Sequence, residues 1–415
     1  MTTFGALTGL LISIFMIIKK VTPVYSLMAG AILGGILGGL SLVDTVTVMV
    51  DGAKDVSPAI IRILSAGILS GVLIETGAAE AIANSIIRKT GSRQIFLALA
   101  LATFLLCAVG VFVDVAVITV APIALMLRQR LNIPMSALLI SMIGGGKSGN
   151  IISPNPNTII AADNFGADLP TIMFYGIIPA LVGLAMTVLI AVFLARKSIL
   201  STNYGLSLQE KQRNLPSLWS SLTIPIVTIL LLALRPLADI VIDPLIALPI
   251  GGLFGILIMG HWRKTGELVG LGLQRMAPVA VLLIGTGTIA GIIGNSSLKE
   301  SILVLLDYFN LNDVIVAPVS GALMSAATAS TTAGAMLASA SFADVVLAAG
   351  VSAAWGALMV NAGATVLDHL PHGSFFHATG GVCELSFKER LKLVPYETII
   401  GGILATASTL FYFVC

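Results

Sequence analysis

The sequence predicts an all-α integral membrane protein made of two inverted repeats, each with five transmembrane helices and one re-entrant hairpin, about ten spans and two hairpins in all. Three observations lead there. The chain is 57% hydrophobic and only 10% charged, with a mean hydropathy of +1.03, where ordinary soluble domains carry roughly 25% charged residues. Two apolar regions, 95–127 and 314–347, are too long for one span and too short for two. Helix-punctuating residues recur about 220 positions apart, and the loops beside them reverse in charge.

Apolar segments close to the length needed to cross a bilayer fall at 4–18, 24–42, 57–75, 135–163 and 170–195, then at 218–235, 243–260, 276–294, 349–379 and 393–414. The first, "MTTFGALTGLLISIFMIIKK", has its lysines after the apolar run and lacks a small-residue cleavage site, so it reads as a helix and not as a signal peptide. The regions 95–127 and 314–347 carry polar residues at their centres, "VFVDV" at 111–115 and "TASTTAG" at 328–334. Their arms of roughly 16 residues reach about 24 Å as helix, which makes them hairpins with polar tips at mid-membrane. Cys107, Cys383 and Cys415 lack metal-ligand spacing and support no disulfide framework. A net charge of +2 gives no sign of a nucleic-acid partner.

The repeat pairs Pro58 with Pro278, Gly67 with Gly287, Gly71 with Gly291, Glu80 with Glu300 and Gly35 with Gly255, and further on Pro156 with Pro371 and Gly166 with Gly381. Loop 77–93 is net positive through Arg88, Lys89 and Arg93 against Glu80, whereas its counterpart 295–313 is net negative through Glu300, Asp307 and Asp313 against Lys299. Loops 44–55 (Asp44, Asp51 and Asp55 against Lys54) and 261–275 (Arg263, Lys264 and Arg275 against Glu267) reverse in the same way. Short cytoplasmic loops collect Lys and Arg, so equivalent loops face opposite sides. The domains are then repeat 1 at 1–197, a cytoplasmic linker at 198–217 and repeat 2 at 218–415. The N-terminus lies outside; Arg128, Arg130, Arg196, Lys197, Lys388, Arg390 and Lys392 lie inside.

Two spans are broken. "GGGKSGNIISPNPN" interrupts 135–163 and "NAGATVLDHLPHGS" interrupts 349–379. Prolines and glycines break helix, and irregular backbone at membrane depth is tolerated only inside protein or beside a wet cavity, which is where inverted-repeat transporters bind substrate. Lys147, Ser148, Asn150, Asn155 and Asn157 occupy the first break; Asn361, Thr365, Asp368, His372 and Ser374 occupy the second. Thr328, Ser330, Thr331 and Thr332 crowd the second hairpin tip, and Asp114 sits at the first.

An intramembrane carboxylate is a functional candidate by default, so Asp114 is expected to exchange protons, relayed through Asp368 or His372. Lys147 pairs with a substrate carboxylate or with Asp114, against the plainer reading of a lysine snorkelling to the surface. Hydroxyls of Ser and Thr often satisfy only their own helix, and Asn at a helix end often caps it. Of His369, His372 and His377, His372 aligns with Asn157 across the repeat and is the preferred one. Gly30, Gly34 and Gly38 form a ridge for close helix packing or a dimer face. "GGGKS" lacks the first glycine of a phosphate-binding loop, and no GxSxG turn accompanies His372 and Ser374, so no enzyme is predicted.

The segments "VFVDVAVITVAPIALML", "SPNPNTIIAADNFGADLPTIMFYGIIPAL", "LLIGTGTIAGIIGNSSLKESI" and "ATASTTAGAM" together resemble the gluconate permease (GntP) family of the ion transporter superfamily, in the same order through most of the chain. The resemblance implies proton-coupled uptake of small hydroxy acids (gluconate, other sugar acids, and D-serine in one branch) by a multi-pass protein of the bacterial inner membrane. It also implies a homodimer with a scaffold region and an elevator-like moving region that holds both hairpins and both broken helices. No cofactor is implied. The coupling ion is the proton, with sodium as the alternative and an anion channel as the rival of another class. Lys147 and "HLPHGSFFH" stand apart from the gluconate branch and leave a three-carbon acid such as glycerate open as cargo.

Overall fold

A computed structural model describes residues 1–414 except 91–93, 132, 198–214, 239, 241, 299–300, 302–303, 305–312 and 372. Most of the linker, His372 and several loop charges used above (Arg93, Lys299, Glu300, Asp307) lie outside the described residues. Among the described residues the regular structure is entirely helical.

The first half runs α1 (Thr3–Ile18), α2 (Pro23–Leu37), α3 (Leu42–Asp55), α4 (Ser57–Glu75), α5 (Ala78–Thr90), α6 (Ile95–Ala108), α7 (Val113–Leu131), α8 (Met135–Asn150), α9 (Pro156–Phe165), α10 (Leu169–Tyr175) and α11 (Ile177–Lys197). The second half runs α12 (Leu218–Ala238), α13 (Pro244–Ile258), α14 (Thr265–Gly294), α15 (Val316–Thr328), α16 (Thr331–Ala348), α17 (Ala353–Ala364), α18 (Ser374–Val382), α19 (Phe387–Leu391) and α20 (Val394–Tyr412). Five stretches among the described residues are long and apolar enough to cross a membrane: Ser57–Glu75, Ile177–Arg196, Trp262–Gly294, Thr331–Ala348 and Phe387–Tyr412.

Helix pairs occupy both regions read as hairpins, α6 with α7 and α15 with α16. The first turns through Gly110 at φ +106°; the second turns through Ala329, a buried non-glycine residue at φ +47°. A left-handed alanine costs free energy and persists only where its surroundings hold it. The first tip sits earlier than its sequence suggests, so Asp114 lies in the first turn of α7 and not in the loop. Both broken helices form as well. α8 ends at Asn150, and α9 restarts at Pro156 with Asn155 as its N-cap, where proline's missing N–H does no harm.

The charged segments 44–55 and 77–93 are not simple loops, since α3 and α5 occupy most of them. α3 places Asp44 in its first turn and Lys54 in its last, matching the helix dipole, and presents an apolar stripe that includes Met49. The expected span 276–294 begins at Thr265, because Pro278 is accommodated inside one helix, whereas its counterpart Pro58 opens α4 after the break at Val56. The span 170–195 is divided at Gly176.

The helices group into two packed sets. α1 to α4 pack with α12, α13 and α14; the hairpins pack with α8, α9, α11, α17, α18 and α20. The ridge of Gly30, Gly34 and Gly38 is used inside the chain, against Gly5, Gly9 and Ser13 of α1, so it serves close helix packing and is not free as a dimer face. A second glycine seam joins the halves. Gly52 faces Gly287 and Gly291 of α14, while Gly272 of α14 faces Gly67 and Gly71 of α4. Each contact maps onto the other by a shift of 220 residues, and numbers rising along α3 and α4 meet numbers falling along α14.

A Cβ at Gly272 would lie 2.1 Å from the Gly67 carbonyl oxygen, whereas one at Gly270 meets nothing within 4 Å. Gly272→Ala is therefore expected to destabilise detergent-purified protein by about 1–3 kcal/mol and lower its unfolding temperature, while Gly270→Ala is neutral or stabilising by up to about 1 kcal/mol. Equal behaviour of the two variants would contradict the seam.

Candidate functional site

The two breaks meet in the second set of helices, and each is closed by a hairpin tip. Val113, the first residue of α7, lies over Gly146 of α8: a Cβ there would come 2.7 Å from Val113 Cγ1. Ala329 lies over Gly373 in the second break, whose Cβ would come 2.4 Å from the Ala329 carbonyl oxygen. α9 packs on α16 and α17, and α18 packs on α7, so each half's restarted helix contacts elements of the other half. The N-termini of α7, α9, α16 and α18 therefore all open beside a break. Helix N-termini carry partial positive charge and exposed N–H donors, which favour an anion.

Lys147 is the centre of the charged part. Its ammonium donates to the Thr365 carbonyl at 2.6 Å, to Asp368 Oδ1 at 2.5 Å and to His369 Nδ1 at 2.9 Å. Asp368 Oδ2 accepts from the Thr331 hydroxyl at 2.5 Å, and His369 Nε2 lies 3.0 Å from the Val394 carbonyl and 3.1 Å from Thr398 Oγ1. Lys147 is 1% exposed and Asp368 3%. Lys147 neither snorkels to the surface nor pairs with Asp114: its partner is an acid 221 residues away, brought in by the fold. Asp114 instead accepts from the Val115 amide at 2.9 Å, and among the described residues no side chain bonds it.

The neutral part lies one turn away. Asn155 Nδ2 donates to Asn150 Oδ1 at 2.6 Å and to the Asn150 carbonyl at 3.0 Å, while its Oδ1 accepts from the Thr158 amide at 3.1 Å. Asn361 Nδ2 donates to Thr158 Oγ1 at 3.1 Å and so links the breaks. Four buried side-chain atoms here have no partner: Asn150 Nδ2, Ser153 Oγ, Asn157 Oδ1 and Asn361 Oδ1. Buried polar groups are nearly always bonded, so several unbonded ones in one place single out the breaks as the candidate site. The other three unbonded buried atoms among the described residues, on Asp163, His261 and Ser341, are not in either break.

Other expected residues play smaller parts. Ser148, Thr328 and Thr365 bond carbonyls of their own helices, and Ser148 points toward Gly183 of α11. Ser330 is the N-cap of α16 and Thr332 lies in its first turn; Ser374 begins α18 and is exposed. His372 lies outside the described residues, and His377 is exposed with Nε2 2.8 Å from the Pro371 carbonyl.

His369 and Thr158 are the additions. His369 is fully buried, and its place next to Asp368 inside the break was the available signal. Thr158 stands three residues after the N-cap Asn155, where a hydroxyl reaches back into the break. Arg62 was also visible as a charge inside an apolar span. It donates to Asp243 Oδ2 at 2.7 Å and to Asp163 Oδ1, joining α4 to α9 and to the N-cap of α13.

An apolar, all-helical chain with paired hairpins closing paired helix breaks over buried, incompletely bonded polar groups defines a membrane transporter. The chain belongs to the GntP permease family: the description "GntP family permease" matches residues 1–414. It is 53% identical over 411 residues, 99% of this chain and 98% of the other, to an "Uncharacterized transporter" of Haemophilus influenzae. It is 22% identical to a "High-affinity gluconate transporter" of Escherichia coli, over 92% of both chains, and 22% identical to the "D-serine transporter DsdX" of the same species, over 96% of both. The crystal structure of the Alcanivorax borkumensis YdaH transporter shares the fold, with a TM-score of 0.67 at 15% identity over 90% of this chain and 88% of that one.

Removing one partner of a buried ion pair leaves an uncompensated charge. Lys147→Met is expected to destabilise the protein by about 3–5 kcal/mol, and the double variant Lys147→Met/Asp368→Leu to recover most of that loss. Thermal unfolding of the purified variants measures both; a double variant no more stable than the single one refutes the coupling.

Proposed function

We propose that the protein is a secondary active symporter that imports a small hydroxy-monocarboxylate, gluconate or a related sugar acid with glycerate as the shorter candidate, together with protons across the bacterial inner membrane. The observation that carries this reading is the set of unbonded amide and hydroxyl atoms around the two breaks, one turn from a buried lysine and beside four helix N-termini. Hydroxyl groups donate to and accept from amides, and the positive ends of helices hold a carboxylate. The E. coli relatives named for gluconate and D-serine support a cargo of this size that carries a carboxylate and a hydroxyl.

Alternating access is the second part of the proposal. Reciprocal contacts between antiparallel helices 220 residues apart require a pseudo-twofold axis across those helices, and this supports two inverted halves. The two helix sets supply a scaffold (α1 to α4 with α12 to α14) and a moving, elevator-like body (hairpins and broken helices). Five crossings and one hairpin per half fit that division. Protons are the coupling ion, with Asp114 and Asp368 as the two carboxylates near the hairpin tips.

Purified protein in liposomes is expected to accumulate labelled gluconate or glycerate when the interior is alkaline. Accumulation driven by sodium with no pH gradient would replace the proton by sodium, and passive equilibration without accumulation would make the protein a channel. Asn157→Ala and Asn361→Ala should each raise the half-saturating concentration by roughly two- to tenfold, the worth of one hydrogen bond. Unchanged uptake in both variants would remove the breaks from the binding site.

A further inference from the structure

We propose that Lys147 and Asp368 form a charge-exchange pair, in which the substrate carboxylate takes the place of Asp368 on the Lys147 ammonium while Asp368 takes up the co-transported proton, one proton for each monocarboxylate. This inference rests on the reading of the breaks as a hydroxy-acid site.

The ammonium has three N–H donors, and all three are used: on the Thr365 carbonyl, His369 Nδ1 and Asp368 Oδ1. A substrate carboxylate can bond Lys147 only by displacing one of them. The Thr365 carbonyl belongs to the end of α17. His369 is held from behind, its Nε2 3.0 Å from the Val394 carbonyl, while its Nδ1 lies 2.9 Å from the Lys147 ammonium and 3.0 Å from Asp368 Oδ1; with the proton on Nε2, Nδ1 accepts from Lys147. Asp368 is the exchangeable partner, because its charge is the one a carboxylate replaces like for like.

Charge balance then dictates the proton. The resting pair is neutral and nearly closed to solvent, with 1% and 3% exposure. Adding a monoanion leaves one uncompensated negative charge in the interior, which is strongly unfavourable. Protonation of Asp368 restores neutrality and converts its carboxylate into an acid whose second oxygen still faces the Thr331 hydroxyl.

Among the described residues the surrounding groups offer no other carboxylate for the task. α8 contributes Lys147, the segment itself His369, α16 only the Thr331 hydroxyl and α20 only Thr398 beside His369; Glu397 of α20 is taken by Arg390. Asp114 bonds its own helix. Asn150 lies one turn beyond Lys147 on α8, and Asn361 one turn before Thr365 on α17, so their unbonded Nδ2 and Oδ1 lie along the same two helix faces as the ammonium and its anchor. A carboxylate on Lys147 thus places nearby hydroxyls against those amides. A second carboxylate has no cation to meet there.

Liposomes containing the wild-type protein test this with labelled gluconate, an imposed pH gradient and, separately, an imposed potassium diffusion potential. One proton per anion gives about tenfold accumulation for a gradient of one pH unit, unaffected by the potential. A ratio near a hundredfold, or accumulation driven by the potential, overturns the proposal without touching the substrate reading. Asp368→Asn, which mimics the protonated acid, should still exchange gluconate across the membrane, now independently of pH, while losing uphill accumulation under the pH gradient. Uphill accumulation by this variant equal to wild type overturns the role of Asp368. If wild-type protein neither exchanges nor is thermally stabilised by gluconate or glycerate, the hydroxy-acid reading itself fails, a result distinct from both.

Discussion

A charge in this interior needs a fixed opposite charge, and the Lys147–Asp368 contact meets that need with one residue from each half of the chain. Leaving either without the other strands a buried charge, since several kilocalories per mole separate a paired buried ion from an orphaned one. The contact brings together the first break, the second break and, through Thr331, the second hairpin tip. The surrounding geometry follows from it. α8 has to stop where Lys147 can reach the end of α17, and His369 has to be buried against α20 to hold the third donor.

Polar groups of this kind do not contribute equally. The pair at Arg62 joins the two helix sets through Asp163 and Asp243, yet its side chains are about a quarter to a third exposed, a setting in which ion pairs are worth at most about 1 kcal/mol. Arg390 and Glu397 are buried like Lys147 and Asp368, but they lie seven residues apart and bond within one local turn, with Thr379 and the Phe376 ring completing the contact. Among the described residues only the Lys147 cluster is buried, spans the halves and adjoins unbonded amides. Those properties together set the candidate site apart from a structural ion pair.

The breaks and hairpins were legible because they violate local rules. Proline, asparagine and lysine inside apolar runs at 147–157 conflict with a continuous helix, and two runs of awkward length conflict with simple spans, so the conflict itself locates them. α3 and α5 were misread as loops because charge count hid their amphipathic spacing; Asp44 and Lys54 sit at the helix ends where charge is tolerated. The hydroxyls of Ser148, Thr328 and Thr365 look like ligand contacts in a sequence, and in the folded chain each returns to a backbone carbonyl. His369 was ranked below His372 and Thr158 was passed over, although Asp368 beside the one and Asn155 before the other placed both in the breaks; what each meets across the fold is set only in space.

The sequence by itself determined an all-helical membrane protein, the positions where its helices are interrupted and its family, because apolar length, helix-breaking residues and motif order are local properties that survive without coordinates. Tertiary structure alone decided which groups pair. Lys147 could have met Asp114, a ligand or solvent, and the choice of Asp368 depends on two helix ends, separated by 221 residues, arriving within 2.5 Å of each other. Electrostatic energy depends on distance and on the loss of water, and neither is written in the order of the residues.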